Sequence, residues 1–145
     1  MLAADAIVFG APNYYGSINA IGHAVLERTF CFRHRETFKL AGKLGVAIGT
    51  GKESDSSPVI EFIQKMFRSN LMPVVGTLAV KGQAPCYCCG FGEDCAVGSI
   101  VAQYGFVDRI TEDMLPPSFA EQSEAVFQAK KVGKTLGSIL CERAS

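Results

Sequence analysis

Three apolar runs along the chain predict buried β-strands. They are Asp5–Gly10, Leu44–Gly49 and Met72–Val80. Each run is almost continuously apolar and does not alternate with polar residues, which is typical of strands covered on both faces of a sheet. The pattern therefore predicts a sheet enclosed between two other layers.

Apolar residues at helical spacing predict helices between and after these strands. Ser17 is expected to cap a helix that ends near Arg28, and Ser57-Pro58 to start a helix that ends near Asn70. An amphipathic helix is predicted from Glu121 onward.

The order of these elements predicts a doubly wound α/β fold, in which a parallel sheet lies between helices in a three-layer sandwich. Ligands of such sheets bind beyond the carboxyl ends of the strands. Here those ends lead into three loops, Ala11–Ser17, Gly49–Ser56 and Lys81–Ser99. We expect the three loops to converge on one edge and to form the ligand site.

Composition narrows the class of protein. A length of 145 residues, 48% of them hydrophobic and 19% charged, suits a single globular domain over residues 1–145. Fourteen Lys and Arg residues balance fourteen Asp and Glu residues, so the chain lacks the positive charge of a nucleic-acid binder. No apolar run approaches the roughly 18 residues that span a bilayer. No Lys or Arg precedes Arg28, unlike in a signal peptide, and we expect a cytoplasmic protein without membrane or nucleic-acid partners.

The first loop places two aromatic residues and an amide behind a proline. Pro12, Asn13, Tyr14 and Tyr15 follow a predicted buried strand directly. Aromatic rings and backbone amides at that position can hold a planar, polar heterocycle. The alternative is a turn whose tyrosines only cap the sheet.

The second loop contains Gly51-Lys52, which resembles the end of a phosphate-binding loop. That motif requires a glycine five residues before Gly51 and a Ser or Thr after the lysine, and this chain has Val46 and Glu53 there. The sequence thus argues against a nucleoside-triphosphate-binding loop. A glycine-containing loop whose backbone approaches a ligand stays possible.

The third loop contains a cluster of cysteines in a Cys-rich segment over residues 82–99. Cys86 and Cys89 have the C-x-x-C spacing of metal ligands, and glycines between them and Cys95 could return that thiol to the same point. Cys86, Cys88, Cys89 and Cys95 are therefore candidate ligands of zinc or an iron–sulfur cluster. A redox-active dithiol, or thiols without a special role, are the alternatives.

The chain resembles a known family over most of its length. Ala4–Ala20 is similar to the third strand and flavin loop of the NAD(P)H-dependent FMN reductases, a flavodoxin-like group that includes the iron–sulfur flavoproteins. Leu40–Gly51 resembles their fourth strand, Leu71–Gly76 their fifth, and Ala129–Leu136 their closing helix. The first block is the most specific of the four.

The resemblance implies a flavin-dependent oxidoreductase. A family member passes a hydride from NAD(P)H to FMN and then electrons to a small-molecule or protein acceptor, and the protein positions and tunes the ring. By the resemblance, the residues that border the isoalloxazine ring are Pro12, Asn13, Tyr14, Tyr15, Gly16, Ser17, Thr50 and Gly51.

The chain also departs from the family pattern. It begins at what would be strand 3, so we expect an incomplete fold made of strands 3 to 5, without the loop after strand 1 that holds the FMN phosphate. Because an unpaired strand edge invites association, we expect a homo-oligomer. The iron–sulfur flavoproteins carry their cysteines before strand 3, so a metal site here rests on spacing alone. A non-catalytic remnant that forms oligomers or binds metal is the alternative.

Overall fold

The computed structural model describes residues 1–52 and 55–144. Within these residues the strands are β1 Ala6–Tyr14, β2 Ser17–Ile18, β3 Arg33–His34, β4 Thr37–Phe38, β5 Leu44–Gly51 and β6 Val74–Lys81. The α-helices are α1 Ala20–Arg28, α2 Ser57–Ser69, α3 Ser99–Tyr104 and α4 Ser123–Ala144. Single 3₁₀ turns occupy Thr29–Phe32, Pro85–Tyr87, Glu112–Met114 and Phe119–Glu121.

The three predicted strands are neighbours in a four-stranded mixed sheet of order β2-β1-β5-β6, in which β6 is an edge strand. β1 and β5 are parallel, with Ala6 opposite Leu44 and Pro12 opposite Thr50. β5 and β6 are also parallel, with Thr50 opposite Val80. The carboxyl ends of β1, β5 and β6 therefore lie side by side at one edge, as predicted.

The main difference from the prediction lies at the end of β1. The strand continues through Asn13 and Tyr14, where the sequence predicted a loop, and pairs there with the antiparallel strand β2. Tyr15 and Gly16 form the turn with φ angles of 55° and 75°. A two-residue turn with both φ angles positive is the arrangement that joins antiparallel strands in a hairpin.

The hairpin moves the start of the first helix. Ser17 belongs to β2, so its predicted role as helix cap is wrong. Asn19 takes that role, and its side-chain oxygen accepts a 3.2 Å hydrogen bond from the backbone N–H of Gly22. An asparagine caps a helix as well as a serine does.

The second helix agrees closely with the prediction. α2 carries Pro58 in its first turn, ends at Ser69 with Asn70 as its cap, and buries Val59, Ile63 and Phe67. The terminal helix starts two residues later than predicted, because Glu121 belongs to a 3₁₀ turn. The short helix α3 and the β3–β4 hairpin have no counterpart in the prediction.

Helices cover both faces of the sheet, which gives the predicted three layers. Alternate residues of β1, including Ile7 and Ala11, join the core with Ile63 and Phe67 of α2. On the opposite face α4 packs against β6, where a Cβ at Gly76 would lie only 2.5 Å from a methyl group of Val132. α4 covers this face of the sheet only in part, since Val8 of β1 is 56% exposed.

A buried polar contact joins the ends of α1 and α2. The side-chain amide of Asn70 donates to Thr29 Oγ1 at 3.0 Å and to the carbonyl oxygen of Met66 at 2.9 Å. The Thr29 hydroxyl donates in turn to the carbonyl oxygen of Leu26 at 2.6 Å. Buried polar groups need such partners to offset their desolvation.

None of the helices in the described parts of the chain is long and apolar enough to cross a membrane.

Candidate functional site

A cavity of about 590 Å³ opens at the carboxyl ends of β1, β5 and β6. All three predicted loops contribute to its walls. The lining residues are Pro12, Asn13, Tyr14, Tyr15, Thr50, Gly51, Lys52, Gly82, Gln83, Ala84, Pro85, Cys88 and Ser99. A cavity of this size is within the range that takes a small-molecule cofactor.

The structure brings most of the predicted ring-binding residues together. Six of the eight line this cavity: Pro12, Asn13, Tyr14, Tyr15, Thr50 and Gly51. Gly16 lines an adjoining cavity of about 280 Å³, together with Asp55. Ser17 lines neither, because it lies in β2 beyond the hairpin turn.

Hydrogen bonds between the loops hold the cavity walls in place. The side-chain amide of Asn13 donates to the carbonyl oxygen of Asp55 at 2.8 Å, which joins β1 to the loop before α2. The backbone N–H of Gly82 donates to the carbonyl oxygen of Gly51 at 2.8 Å, which joins the ends of β6 and β5.

Two close contacts support those loops from behind. Gln122 accepts a 2.9 Å hydrogen bond from the N–H of Lys81 and donates a 3.0 Å bond to its carbonyl oxygen, so the chain before α4 holds the end of β6. Gly49 lies against Ser56, and a Cβ there would come within 2.6 Å of Ser56 Cβ. The absence of a side chain at Gly49 lets α2 begin directly behind the Thr50–Gly51 wall.

The walls offer aromatic faces, one unsatisfied acceptor and a positive charge. Tyr15 is fully exposed and Tyr14 is 55% exposed, so neither ring belongs to the core. Asn13 Oδ1 is buried and has no hydrogen-bond partner among the described residues. A ligand with an N–H group would satisfy this oxygen, since buried acceptors are normally paired. Lys52 lines both cavities and brings a positively charged side chain to the site.

Several lining residues were missed by the sequence analysis as site residues, among them Lys52, Gln83, Pro85 and Ser99. All of them belong to, or directly follow, the predicted convergent loops. Lys52 was considered individually only as part of a phosphate-binding motif, and within the predicted ligand loop Lys81–Ser99 only the cysteines were named as candidate residues. Their position at the strand ends was the signal that could have identified them.

The cysteines do not form the predicted metal site. Among the described residues, no three His, Cys, Asp or Glu side chains are grouped so that they could hold a metal ion. The expectation that Cys86, Cys89 and Cys95 meet at one point, with Cys88 as a fourth ligand, is therefore corrected, and zinc or an iron–sulfur cluster has no support here.

The reason lies in the local turns of the segment. Cys88 Sγ points at the carbonyl oxygen of Pro85 at 3.4 Å, and Cys89 Sγ at that of Cys86 at 3.8 Å. Cys86 Sγ faces the backbone N–H of Ser99 at 3.2 Å. These three thiols each meet a different backbone group, and the C-x-x-C spacing does not translate into a shared metal centre.

The environment of Cys86 alters two ionisation equilibria. The backbone N–H of Ser99 lowers the pKa of Cys86, although partial burial of the thiol opposes this effect. Burial raises the pKa of Tyr87, and repulsion from Tyr104 and Cys86 adds to the increase. At neutral pH Tyr87 therefore stays a neutral phenol beside Cys86.

The parallel sheet between helices, with its cavity at the strand ends, defines a flavodoxin-like α/β protein with a small-molecule site. Comparison with known families is consistent with this class. The pattern of the family described as NADPH-dependent FMN reductase matches residues 1–84, and the chain belongs to that family. The match includes β1, β5 and β6 and ends at Ala84 on the cavity wall. No curated protein sequence matches the chain. At the level of the family, the protein is a flavin-dependent oxidoreductase that uses NAD(P)H.

Proposed function

We propose that this protein binds the isoalloxazine ring of FMN in the cavity at the carboxyl ends of β1, β5 and β6. In this proposal it passes electrons from NAD(P)H to a small-molecule or protein acceptor. The observation that carries the proposal is the convergence of Pro12–Tyr15 with Thr50 and Gly51 on one cavity of about 590 Å³. These residues come from strands separated by about 40 positions in the sequence, and they belong to the stretch that matches the family.

The chemistry of the walls fits a flavin. The exposed rings of Tyr14 and Tyr15 offer apolar surface to a planar heterocycle. The unpaired Oδ1 of Asn13 can accept a hydrogen bond from a ring N–H group. Gln83 adds an amide to the same wall.

When bound, FMN would supply the hydride and electron chemistry, so the protein needs no acid–base pair of its own. The task of this chain is then to bind and orient the ring. Lys52 contributes a positive charge at the cavity edge, which favours negative charge on a reduced flavin. Pro12 and Thr50, paired across β1 and β5, form a fixed floor behind the ring.

We also propose that β1, β5 and β6 correspond to strands 3, 4 and 5 of the flavodoxin-like order 2-1-3-4-5. Their adjacency and parallel direction support this assignment. In that order the FMN phosphate is held after strand 1, at a helix N-terminus. The described residues contain no loop that corresponds to it, so the contacts proposed for this chain are contacts with the ring.

The same assignment bears on association. Ala6–Pro12 of β1 pairs with β5 on one side and, among the described residues, with no strand on the other. Strand 1 of the family order would occupy that edge. We propose that a second copy of this chain covers it in solution, because an apolar edge without charged residues favours pairing.

A flavin titration tests the proposed function. Fluorescence of FMN and of riboflavin, which lacks the phosphate, is followed as protein is added, and NADPH is then added without oxygen. We expect both flavins to bind with Kd values within about threefold of each other, since a phosphate site would contribute more than about 0.7 kcal/mol. We also expect NADPH to bleach the bound flavin. Fluorescence that stays unchanged at excess protein would contradict flavin binding. A strong preference for FMN would instead contradict only the strand assignment.

A further inference from the structure

The Cys-rich segment contains a hydrogen-bonded thiol and a second thiol three residues further along the chain. Cys86 is half-buried, and its Sγ accepts a 3.2 Å hydrogen bond from the backbone N–H of Ser99. A sulfur atom that accepts from a backbone N–H is stabilised as the thiolate, which is the reactive form of cysteine. Partial burial holds this sulfur in one position, in contrast to the exposed thiol of Cys31.

Cys89 lies three residues after Cys86, and its thiol faces the backbone carbonyl group of Cys86. The two residues are separated by the end of the 3₁₀ turn Pro85–Tyr87, and Cys89 Sγ lies 3.8 Å from the carbonyl oxygen of Cys86. Gly92 then packs so closely against that carbonyl oxygen that a Cβ would have no space, which keeps the segment folded around Cys86. Cys89 is exposed and can therefore move toward Cys86.

Cys88 is arranged differently from this pair. Its Sγ points at the carbonyl oxygen of Pro85, and the residue lines the cavity at the strand ends. A bridge to Cys86 would also have to close across a single intervening residue, whereas C-x-x-C is the spacing of known redox-active pairs. The geometry therefore selects Cys89 as the partner of Cys86.

We propose that Cys86 and Cys89 form a redox-active dithiol, with Cys86 as the attacking thiolate and Cys89 as the resolving thiol. The oxidant is a low-molecular-weight disulfide. Cys86 attacks one of its sulfur atoms, a mixed disulfide forms on Cys86, and the first small thiolate leaves. Cys89 then loses its proton to solvent and attacks Cys86 Sγ, which forms the Cys86–Cys89 disulfide and releases the second small thiolate. Two electrons pass from the cysteine pair to the small disulfide.

This activity is independent of flavin binding, but it affects the proposed flavin site. Cys88 lies between the two reacting cysteines and lines the cavity. A disulfide across residues 86 and 89 therefore constrains the cavity wall. The thiol state of the segment and the ligand affinity of the cavity are thus physically connected.

Limited alkylation of the reduced full chain tests the first step. Substoichiometric iodoacetamide at neutral pH, followed by peptide mass spectrometry, gives the relative rate of modification at each cysteine. We expect Cys86 to react at least about threefold faster than the exposed control Cys31, because thiolate fraction outweighs the lower nucleophilicity of an acidic thiol. Equal or slower reaction at Cys86 would overturn its role as the attacking thiolate.

Oxidation with glutathione disulfide tests the pairing. We expect the unaltered chain to form a bridge between residues 86 and 89, seen as a loss of two hydrogens in the peptide that holds both. Cys89→Ser should stop at glutathione on Cys86, and Cys88→Ser, the matched control, should still form the bridge. If a disulfide still forms in Cys89→Ser but not in Cys88→Ser, the partner of Cys86 is Cys88, and the assignment of Cys89 as the resolving thiol is overturned. Circular dichroism of each variant verifies that it is folded, and none of these measurements requires bound flavin.

Discussion

The side-chain amide of Asn13 donates a 2.8 Å hydrogen bond to the backbone carbonyl oxygen of Asp55. This bond joins the end of β1 to the loop before α2, and it leaves Asn13 Oδ1 buried with no partner among the described residues. One side chain therefore holds two walls of the cavity together and presents an acceptor that a ligand can satisfy.

Replacement of Asn13 by alanine should weaken flavin binding with little effect on the fold. A hydrogen bond contributes about 0.5–1.5 kcal/mol, so we expect Kd to rise about two- to tenfold. Fluorescence titration with riboflavin measures the effect. Gln103→Ala is the matched control, because this exposed amide donates to Tyr104 and does not line the cavity. An unchanged Kd in Asn13→Ala would argue against its role in ligand binding.

A larger side chain at Thr50 should occupy the cavity. Thr50 lines it from β5, so we expect Thr50→Leu to raise the flavin Kd more than about tenfold, which corresponds to roughly 1.4 kcal/mol. Thr77→Leu introduces the same side chain at an exposed threonine of the neighbouring strand and should leave Kd unchanged. Thermal unfolding of both variants separates loss of binding from loss of fold. Equal affinities in the two variants would show that the ring binds elsewhere.

The buried amide of Asn70 should matter for stability and not for ligand binding. Its contacts with Thr29 and Met66 are lost in Asn70→Ala, and we expect the free energy of unfolding to fall by about 1–3 kcal/mol. Urea unfolding measures this as a lower midpoint with an unchanged slope. Gln64→Ala, which removes an amide that bonds to exposed Arg68, should change stability by less than about 0.5 kcal/mol. Equal losses in the two variants would contradict the assigned role of the buried contact.

Much of the fold could be predicted from the sequence because its central strands are unusually apolar. Val46 and Ala47 lie in a run that is buried on both faces, and such runs identify a parallel sheet without knowledge of the pairing. The end of β1 could not be predicted in this way. Asn13 and Tyr14 were assigned to a loop, but they stay extended because Ser17 and Ile18 return beside them. That pairing is a property of the hairpin and not of either segment alone.

The candidate site, like the fold, has features that the sequence predicts and features that depend on tertiary contacts. The position of Thr50 and Gly51 beside Pro12 follows from strand order, which the alternation of elements predicts. The predicted metal site at the cysteines rested on their spacing in the sequence alone, and spacing does not give the direction of a side chain. Cys86 faces Ser99, whereas Cys88 faces the carbonyl oxygen of Pro85. A contact across thirteen residues, set by the start of α3, decided where the first thiol points.

The open edge of β1 leads to the last prediction, on association. Val8 is 56% exposed beside this edge, and its neighbours on the same sheet face are Val46, Ile48 and Leu78, next to α4. If a second copy covers the edge, Val8→Lys would place a charge in the contact, and charged residues at strand edges oppose pairing. We expect the unaltered chain to sediment as a dimer and Val8→Lys to dissociate at least about tenfold more readily, equivalent to roughly 1.4 kcal/mol. Ile21→Lys is the control, because Ile21 is 76% exposed on α1, which packs against the other face of the sheet. A chain that is monomeric at every concentration would contradict the proposal, as would a dimer that Ile21→Lys dissociates and Val8→Lys does not.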